Sequence, residues 1–375
     1  MKILFLCDVL GGLGDWTRAA KIYGHLESRH EQVRFINIAS KYRPKSRILL
    51  LPDVATSIVM SRLRGEDLSL TRWQARMKIA KKVLKAQTAK FHPDLIWCEG
   101  ELTAAAAVDT ADQATPIVTD VHGIASAEYE TSAGSLADTR VTHLYEQMED
   151  RIFSGSWRIV VVSNAMKSFL VEERGVDPNK LFVVHNGSEA RTRTAQYGWP
   201  LKVIYAGNFA SWENVDSYLD LAKLCHEHLF YLAGYGPLER RLLGRIGEER
   251  IPIRYLGRLQ YCKTMDLFSE MNVGVAPSVD TLARKVAWPI KVFDYLSCGL
   301  PVITPDFGEW ARVIAESRCG FVTETSDAKE FAECLASLDR STWEEMSMNA
   351  LRLIRHRFNW NALLRETDKI LNPLS

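Results

Sequence analysis

The chain has 375 residues, a length that allows two to three domains of ordinary size, each able to bury its own core. Its 47% hydrophobic and 25% charged content is that of a soluble globular protein and excludes a fibrous or disordered chain. The net charge of +1 hides an asymmetry: residues 41–90 hold thirteen Lys/Arg against three acids, a local +10, so the remainder totals −9. Seven scattered cysteines form no C-x-x-C pair or Cys/His cluster, so neither a disulfide frame nor a zinc site is expected, and a reducing cytosol is the simplest home.

Met1 to Leu10 is apolar but meets Gly-Gly and has no small-residue cleavage site, so a first strand is expected rather than a signal peptide. No run of about 18 apolar residues follows that would span a membrane. Short apolar runs rich in β-branched residues then recur at Lys2–Cys7, Val33–Ile38, Leu95–Cys98, Ile117–Val121, Ile159–Ser163 and Phe182–Val184. Helical segments separate most of them, including 15–28, 71–91, 139–153 and 165–174. Buried parallel strands joined by crossover helices read this way.

The 71–91 segment carries Trp73, Met77, Ala80 and Leu84 along one stripe, with bases elsewhere. Such a helix packs its stripe on a core and solvates its basic face, or rests on an anionic membrane surface. Nucleic acid is not expected as a partner, because no recognised binding module accompanies the charge.

A polar stretch punctuated by Gly and Pro, Gly187 to Pro200, reads as the domain linker. The alternation then restarts with strands expected at 202–206, 229–233, 253–256, 273–276, 301–304 and 320–322. A final helical region covers 328–371, interrupted near Phe358-Asn359-Trp360. Two successive βαβ-rich halves predict two doubly wound α/β domains with a ligand at the strands' carboxyl ends.

Several loops sit at those strand ends. Asp8 to Trp16 offers Gly12 and Gly14, which let backbone N–H groups approach a phosphate, but it lacks the third glycine of a dinucleotide fingerprint. T-D-V-H-G places Asp120 and His122 after the fourth strand. An Asp-x-His there is a structural hydrogen-bonded pair or a catalytic one. Glu99 and Glu101 also lie at a strand end, within reach of a ligand there. Y-A-G-N (Gly207, Asn208), L-A-G-Y-G-P and Y-L-G-R-L (Arg258) put three Gly-punctuated strand ends on one rim, where a nucleotide can lie across backbone groups.

The stretch W-P-I-K-V-F-D-Y-L-S-C-G-L-P-V-I-T, Trp288 to Thr304, predicts a helix with Pro289 at its first position and Gly299 just past its end. Ile290, Phe293 and Leu296 form one apolar face. Lys291 and Asp294 share another, near the positive end of the helix dipole. A lysine beside bare N–H groups suits an anion, and a carboxylate one turn later accepts sugar hydroxyls. The alternative is a solvated i,i+3 ion pair.

These motifs in this order, with E-x9-I-V-V-V-S-N-A-M from Glu149, V-V-H-N-G, V-A-P-S and the closing F-N-W, resemble the retaining glycosyltransferases of the two-domain GT-B fold, most of all the family 4 group. The resemblance covers nearly the whole chain. It implies two Rossmann-like domains facing a central cleft, with an acceptor-side domain at 1–195 and a donor-binding domain at 200–357. It also implies a C-terminal helix, 358–375, that crosses back to the first domain.

By resemblance Asp294 holds the donor ribose, Lys291 neutralises the diphosphate, and His122, with Asp120, lies near the donor sugar as the catalytic pair. Gly12, Gly14, Gly207, Asn208 and Arg258 complete the donor site. The co-substrate implied is a nucleoside-diphosphate sugar, with no other cofactor, and the acceptor is a glycan or lipid-linked glycan. No D-x-D occurs, so no metal clamp on the diphosphate is expected. The sequence departs from the family at Val286, where many relatives carry a second acid. It departs again at Asn208, Glu213 and Asn214, where many carry an Arg and a Lys. The diphosphate's positive charge is then expected from Lys291, from Arg284 or Lys285, and from helix N-termini. A sugar-nucleotide epimerase of the same architecture and a non-catalytic nucleotide-sugar-binding partner remain as rivals. The location implied is cytoplasmic, with the 41–90 basic surface peripheral on the inner face of a membrane.

Overall fold

The computed structural model describes residues 1–8, 14–42 and 68–372. Gly12 and the 43–67 part of the basic window lie outside them. Twelve strands form two wholly parallel six-stranded sheets among the described residues. The first holds β1 (Lys2–Cys7), β2 (Gln32–Asn37), β3 (Leu95–Glu99), β4 (Ile117–Val121), β5 (Arg158–Val161) and β6 (Leu181–Val183), in the order β2-β1-β3-β4-β5-β6. The second holds β7 (Lys202–Asn208), β8 (Leu229–Tyr235), β9 (Ile253–Gly257), β10 (Val273–Val275), β11 (Val302–Pro305) and β12 (Gly320–Thr323), in the order β12-β11-β10-β7-β8-β9. In each sheet the strand order reverses beside its first strand, and a crevice at the carboxyl ends opens there.

Strands such as β1, β3 and β4 read as continuous apolar runs because helices cover both faces, leaving nearly every side chain without solvent. Two helices that follow β3 and β4 were not revealed by the sequence pattern. Glu101–Thr110 buries Leu102, Thr103 and four successive alanines, so it shows no apolar stripe, and Ala125–Ala133 is equally poor in periodicity. The final helical region breaks twice. Asp339 and Asn359 accept N–H bonds from Thr342 and Ala362 and start the helices Arg340–His356 and Trp360–Leu371.

Helix Ile290–Ser297 lies beneath the second sheet's crevice. Pro289 is the residue before it rather than its first, held extended at ψ 114° because Trp288 on its other side is tied down by Asn186. Gly299 takes the left-handed conformation past the end, at φ 76°. The apolar face is wider than the Ile290/Phe293/Leu296 row, since Val292 and Tyr295 are also fully buried. Gly274 on β10 leaves room for the Tyr295 ring, whose hydroxyl accepts from the Ala206 N–H at 2.8 Å.

The two sheets are joined at several points. Ser163 donates to the Val286 carbonyl at 2.5 Å, and Glu309 accepts from Asn164 N and Nδ2 at 2.6 and 2.7 Å, capping the helix Asn164–Glu172 from the other half. Helix Trp360–Leu371 crosses back to pack on the first helix, Gly14–Arg29, and on β6, with Asp368 accepting from His25 at 2.7 Å. Phe358 just before it fills an aromatic cluster with His185, Trp288 and Phe293.

The basic helix runs from Leu68 to Phe91. Its stripe faces inward: Met77, Ala80 and Leu84 are buried and Trp73 half-buried, so this row is core rather than a membrane-facing surface. Lys78, Lys82 and Lys85 are exposed on the opposite side, and no helix among the described residues is long and apolar enough to cross a membrane.

Candidate active site

A cavity of about 410 Å³ lies between the carboxyl edges of the two sheets. From the first half it is lined by Arg18, His122, Glu128 and Asn186. The second half supplies Gly207, Asn208, Glu213, Arg258, Arg284, Lys291 and Asp294, among others.

On the first side, the parallel register sets Glu99 at the end of β3 opposite Asp120 on β4. Asp120 is fully buried, and both of its oxygens are taken by Arg18, at 2.9 Å from Nε and 2.8 Å from Nη2. Burial pushes this carboxyl up, but the Arg18 and His122 charges outweigh it and hold the pKa near about 2. His122 is half-buried at the cavity wall, with Nε2 bonded to Glu99 Oε2 at 3.1 Å and 3.6 Å from Asp120 Oδ1. Burial works against a charged ring, yet the two carboxylates prevail and raise its pKa well above the ordinary value.

Glu99 does not line the cavity. It is buried, bonded to Trp97 Nε1 at 3.0 Å and to His122, and desolvation with Asp120 nearby raises its pKa. Glu99, Asp120 and His122 place their ligand atoms within 4.8 Å of one another, the geometry of a cation site. Their lone pairs, however, already meet Arg18, Trp97 and each other. Asp120 itself lies beneath the cavity and does not line it.

On the second side, Lys291 and Asp294 share a helix face but not a bond. Lys291 Nζ pairs with Glu213, lies 3.2 Å from Tyr205 Oη and sits over the Tyr205 ring. Desolvation, with Arg284 nearby, lowers its pKa against the pull of Glu213. Asp294, 5% exposed, accepts from Ser188 Oγ at 2.9 Å and Tyr261 Oη at 2.8 Å. Both bonds end on Oδ1, leaving Oδ2 without a protein donor among the described residues. Desolvation raises this carboxyl to about 7, against those two bonds. The solvated i,i+3 pair is therefore not what this helix carries.

Gly207 lets the Lys291 ammonium approach the backbone, since a Cβ there would come within 2.9 Å of Lys291 Nζ and make that side chain shift. Arg258 stands exposed at the rim with its guanidinium 4.4 Å from the Tyr235 ring centroid. Of the two substitute cations, Arg284 reaches the cavity and is 9% exposed, whereas Lys285 is turned out to pair with Asp280. Gly14 begins the first helix. The sequence did not single out Arg18, Asn186, Ser188 or Tyr261, since each acts through a partner more than thirty residues away. Glu213 stood out only as a departure from the family.

Two parallel doubly wound sheets facing one cleft, closed by a returning C-terminal helix, define the GT-B fold. Sucrose-phosphate synthase from Thermosynechococcus elongatus superposes with a TM-score of 0.79 at 14% identity, over 100% of this chain and 99% of that one. The Anabaena HepE protein in complex with UDP-glucose superposes at 0.69 with 15% identity over all of both chains. Residues 18–190 match the family described as Glycosyltransferase Family 4, and residues 200–340 match Glycosyl transferases group 1. The chain belongs to this family of GT-B proteins, with a family 4 domain followed by a group 1 domain.

Among curated relatives, the chitobiosyldiphosphodolichol beta-mannosyltransferase of Kluyveromyces lactis is 23% identical over 252 residues, 55% of this chain and 54% of that protein. A sucrose synthase of Solanum tuberosum is 29% identical over 80 residues, 20% of this chain and 10% of its own. The chain thus spans about half, or far less, of the length of these two relatives.

The raised Asp294 carboxyl has a thermodynamic signature. Burial pushes it up to about 7 in the fold, against about 4 unfolded, so folding takes up a proton between these values. The native state therefore loses stability as pH rises through that window. Asp294→Asn keeps an acceptor for Ser188 and Tyr261 and removes the charge. Its melting temperature should exceed the parent's above pH 7, with the gap closing towards pH 4. Parallel melting profiles across that range would contradict the assignment.

Proposed function

We propose that the protein moves a sugar from a nucleoside-diphosphate sugar to a glycan or lipid-linked glycan, with retention at the anomeric carbon and without a metal. The observation that carries this reading is the convergence of Lys291, Arg284, the open oxygen of Asp294 and the His122 ring on one cavity between the two sheet edges. Asp294 Oδ2 accepts the ribose hydroxyls, Arg258 meets the base at the rim, and Lys291 and Arg284 hold the diphosphate beside the close-approach backbone of Gly207. His122, raised towards its charged form, faces the sugar and the leaving phosphate across the cleft. The HepE complex with UDP-glucose supports a donor of this class.

In the transfer step the bond from C1 to the phosphate oxygen breaks, and the acceptor oxygen bonds to C1 on the same face. The acceptor's proton passes to the departing phosphate oxygen, so the step calls for positioned charge more than for a side-chain base. The family resemblance supports retention. The protein donors that already fill Glu99 and Asp120 support transfer without a metal. Cations and His122 on a single cavity favour transfer over a binding-only role.

Thermal shift with UDP-, GDP- and ADP-sugars tests the donor class, since a ligand at about 100 times its Kd stabilises by roughly 2.7 kcal/mol. One nucleotide series should raise the melting temperature, and no response to any of them would sink the proposal. Lys291→Ala should weaken nucleoside diphosphate binding about ten- to a hundred-fold, the worth of a charge-assisted hydrogen bond, and leave the nucleoside almost unaffected. Equal diphosphate affinity would remove Lys291 from that role. His122→Ala should lower turnover far more than nucleoside diphosphate affinity. Normal turnover with a lower melting temperature would make it a structural histidine.

The proposed location is the cytoplasmic face of a membrane, held reversibly by charge. Lys78, Lys82 and Lys85 lie on one exposed helix face without a carboxylate partner among the described ion pairs. Each base near an anionic leaflet contributes about 1 kcal/mol, within the reach of a Debye length. Because the apolar stripe is core, sedimentation with anionic vesicles should be salt-sensitive and absent with neutral ones. Failure to bind anionic vesicles at low salt overturns it.

A further inference from the structure

Glu213 is 5% exposed at the end of a short turn, Ser211–Glu213, and the left-handed Asn214 that follows fixes its direction. The turn is pinned from the other half of the molecule, where the Thr131 carbonyl accepts from Ser211 Oγ at 3.2 Å. The Glu213 carboxylate reaches Lys291 Nζ with one oxygen and lies 3.8 Å from Arg284 Nη1 with the other. Arg284 is steered there by a 2.9 Å bond from its Nε to Ser278 Oγ. Lys291 and Arg284 thus converge on a carboxylate that belongs to the chain itself.

We propose that Glu213 is a tethered anion that occupies the phosphate-binding cations of the ligand-free protein and competes with the donor's diphosphate for them. The inference rests on the nucleotide-sugar reading and adds a specificity determinant to it. A carboxylate at contact distance from Lys291 both satisfies that ammonium and repels a phosphate brought to the same place. Desolvation raises the Glu213 carboxyl, but Lys291 and Arg284 outweigh it and keep it below its ordinary range, so it is ionised at neutral pH. An uncharged nucleoside, bound through its base and ribose, meets none of this. The cost falls on the diphosphate alone. Because the turn also touches the first half through Thr131, releasing Lys291 is coupled to the contact between the halves.

The test is calorimetric titration of the parent and of Glu213→Gln with UDP, GDP and ADP, and with the matching nucleosides. Gln keeps the shape and one acceptor but not the charge. The diphosphate that the parent binds should bind on the order of ten-fold tighter to the variant, with nucleoside affinity unchanged. Should the variant lack a cooperative melting transition, Glu213→Asp serves instead. It draws the charge back by one methylene and should tighten the diphosphate by a smaller factor. Unchanged or weaker diphosphate binding makes Glu213 a scaffold for the two cations and overturns the inference, while leaving the donor reading intact. A parent that binds none of the three diphosphates overturns both.

Discussion

The cleft depends on one buried ion pair. Arg18 and Asp120 are almost wholly removed from water, and neither is tolerable there without the other, since breaking such a pair costs about 3–5 kcal/mol. Arg18 spends its remaining N–H groups on Val184 O at 2.8 Å, His185 O at 3.3 Å and Asn186 Oδ1 at 3.2 Å. Asn186 donates in turn to the Trp288 carbonyl and accepts from its indole through its own carbonyl. A continuous chain of polar contacts therefore runs from the end of β4 to Trp288, just before the helix that bears Lys291 and Asp294. The first sheet's buried charge is thereby tied to that helix.

That arrangement explains why the site chemistry is unusual for surface residues of the same types. Burial penalises every charge in it, and each group is rescued by a different neighbour. Asp120 is held low by a guanidinium, His122 high by two carboxylates, and Lys291 is stabilised by Glu213. Asp294 has two hydroxyl donors and no cation, so its desolvation is offset only in part and its pKa climbs. A carboxyl poised near neutrality gains when a ligand brings further hydrogen-bond donors to its open oxygen. The aromatic cluster of His185, Trp288, Phe293 and Phe358 backs this polar seam and keeps water from its underside.

Most strands and the fold class were legible in the sequence because parallel strands covered on both faces must be apolar throughout, and that is a local property. Gly299 and the Pro301 that follows marked a helix end for the same reason: backbone stereochemistry acts within a few residues. The helix Glu101–Thr110 was not legible because its run of buried alanines carries no apolar periodicity, and Ala125–Ala133 was not because it buries only Ser126 and Ala127 and so has no apolar stripe. The basic helix was half legible. Its charge count is sequence, whereas the inward turn of Met77, Ala80 and Leu84 is packing.

By itself, then, the sequence determined two α/β halves, the rim of glycine-bearing strand ends, and the residue types at positions 122, 291 and 294. Only the tertiary structure decided their partners. Lys291 and Asp294 are one turn apart, yet they pair with Glu213, and with Ser188 and Tyr261, because the helix faces different segments on its different sides. The same holds for Asp120, which reads as a catalytic neighbour of His122 and lies beneath it, locked to Arg18 across 102 residues of chain. Side-chain type is a property of the residue, but the charge it meets is set by folding distant segments together, and electrostatic interaction depends on distance in space rather than along the chain.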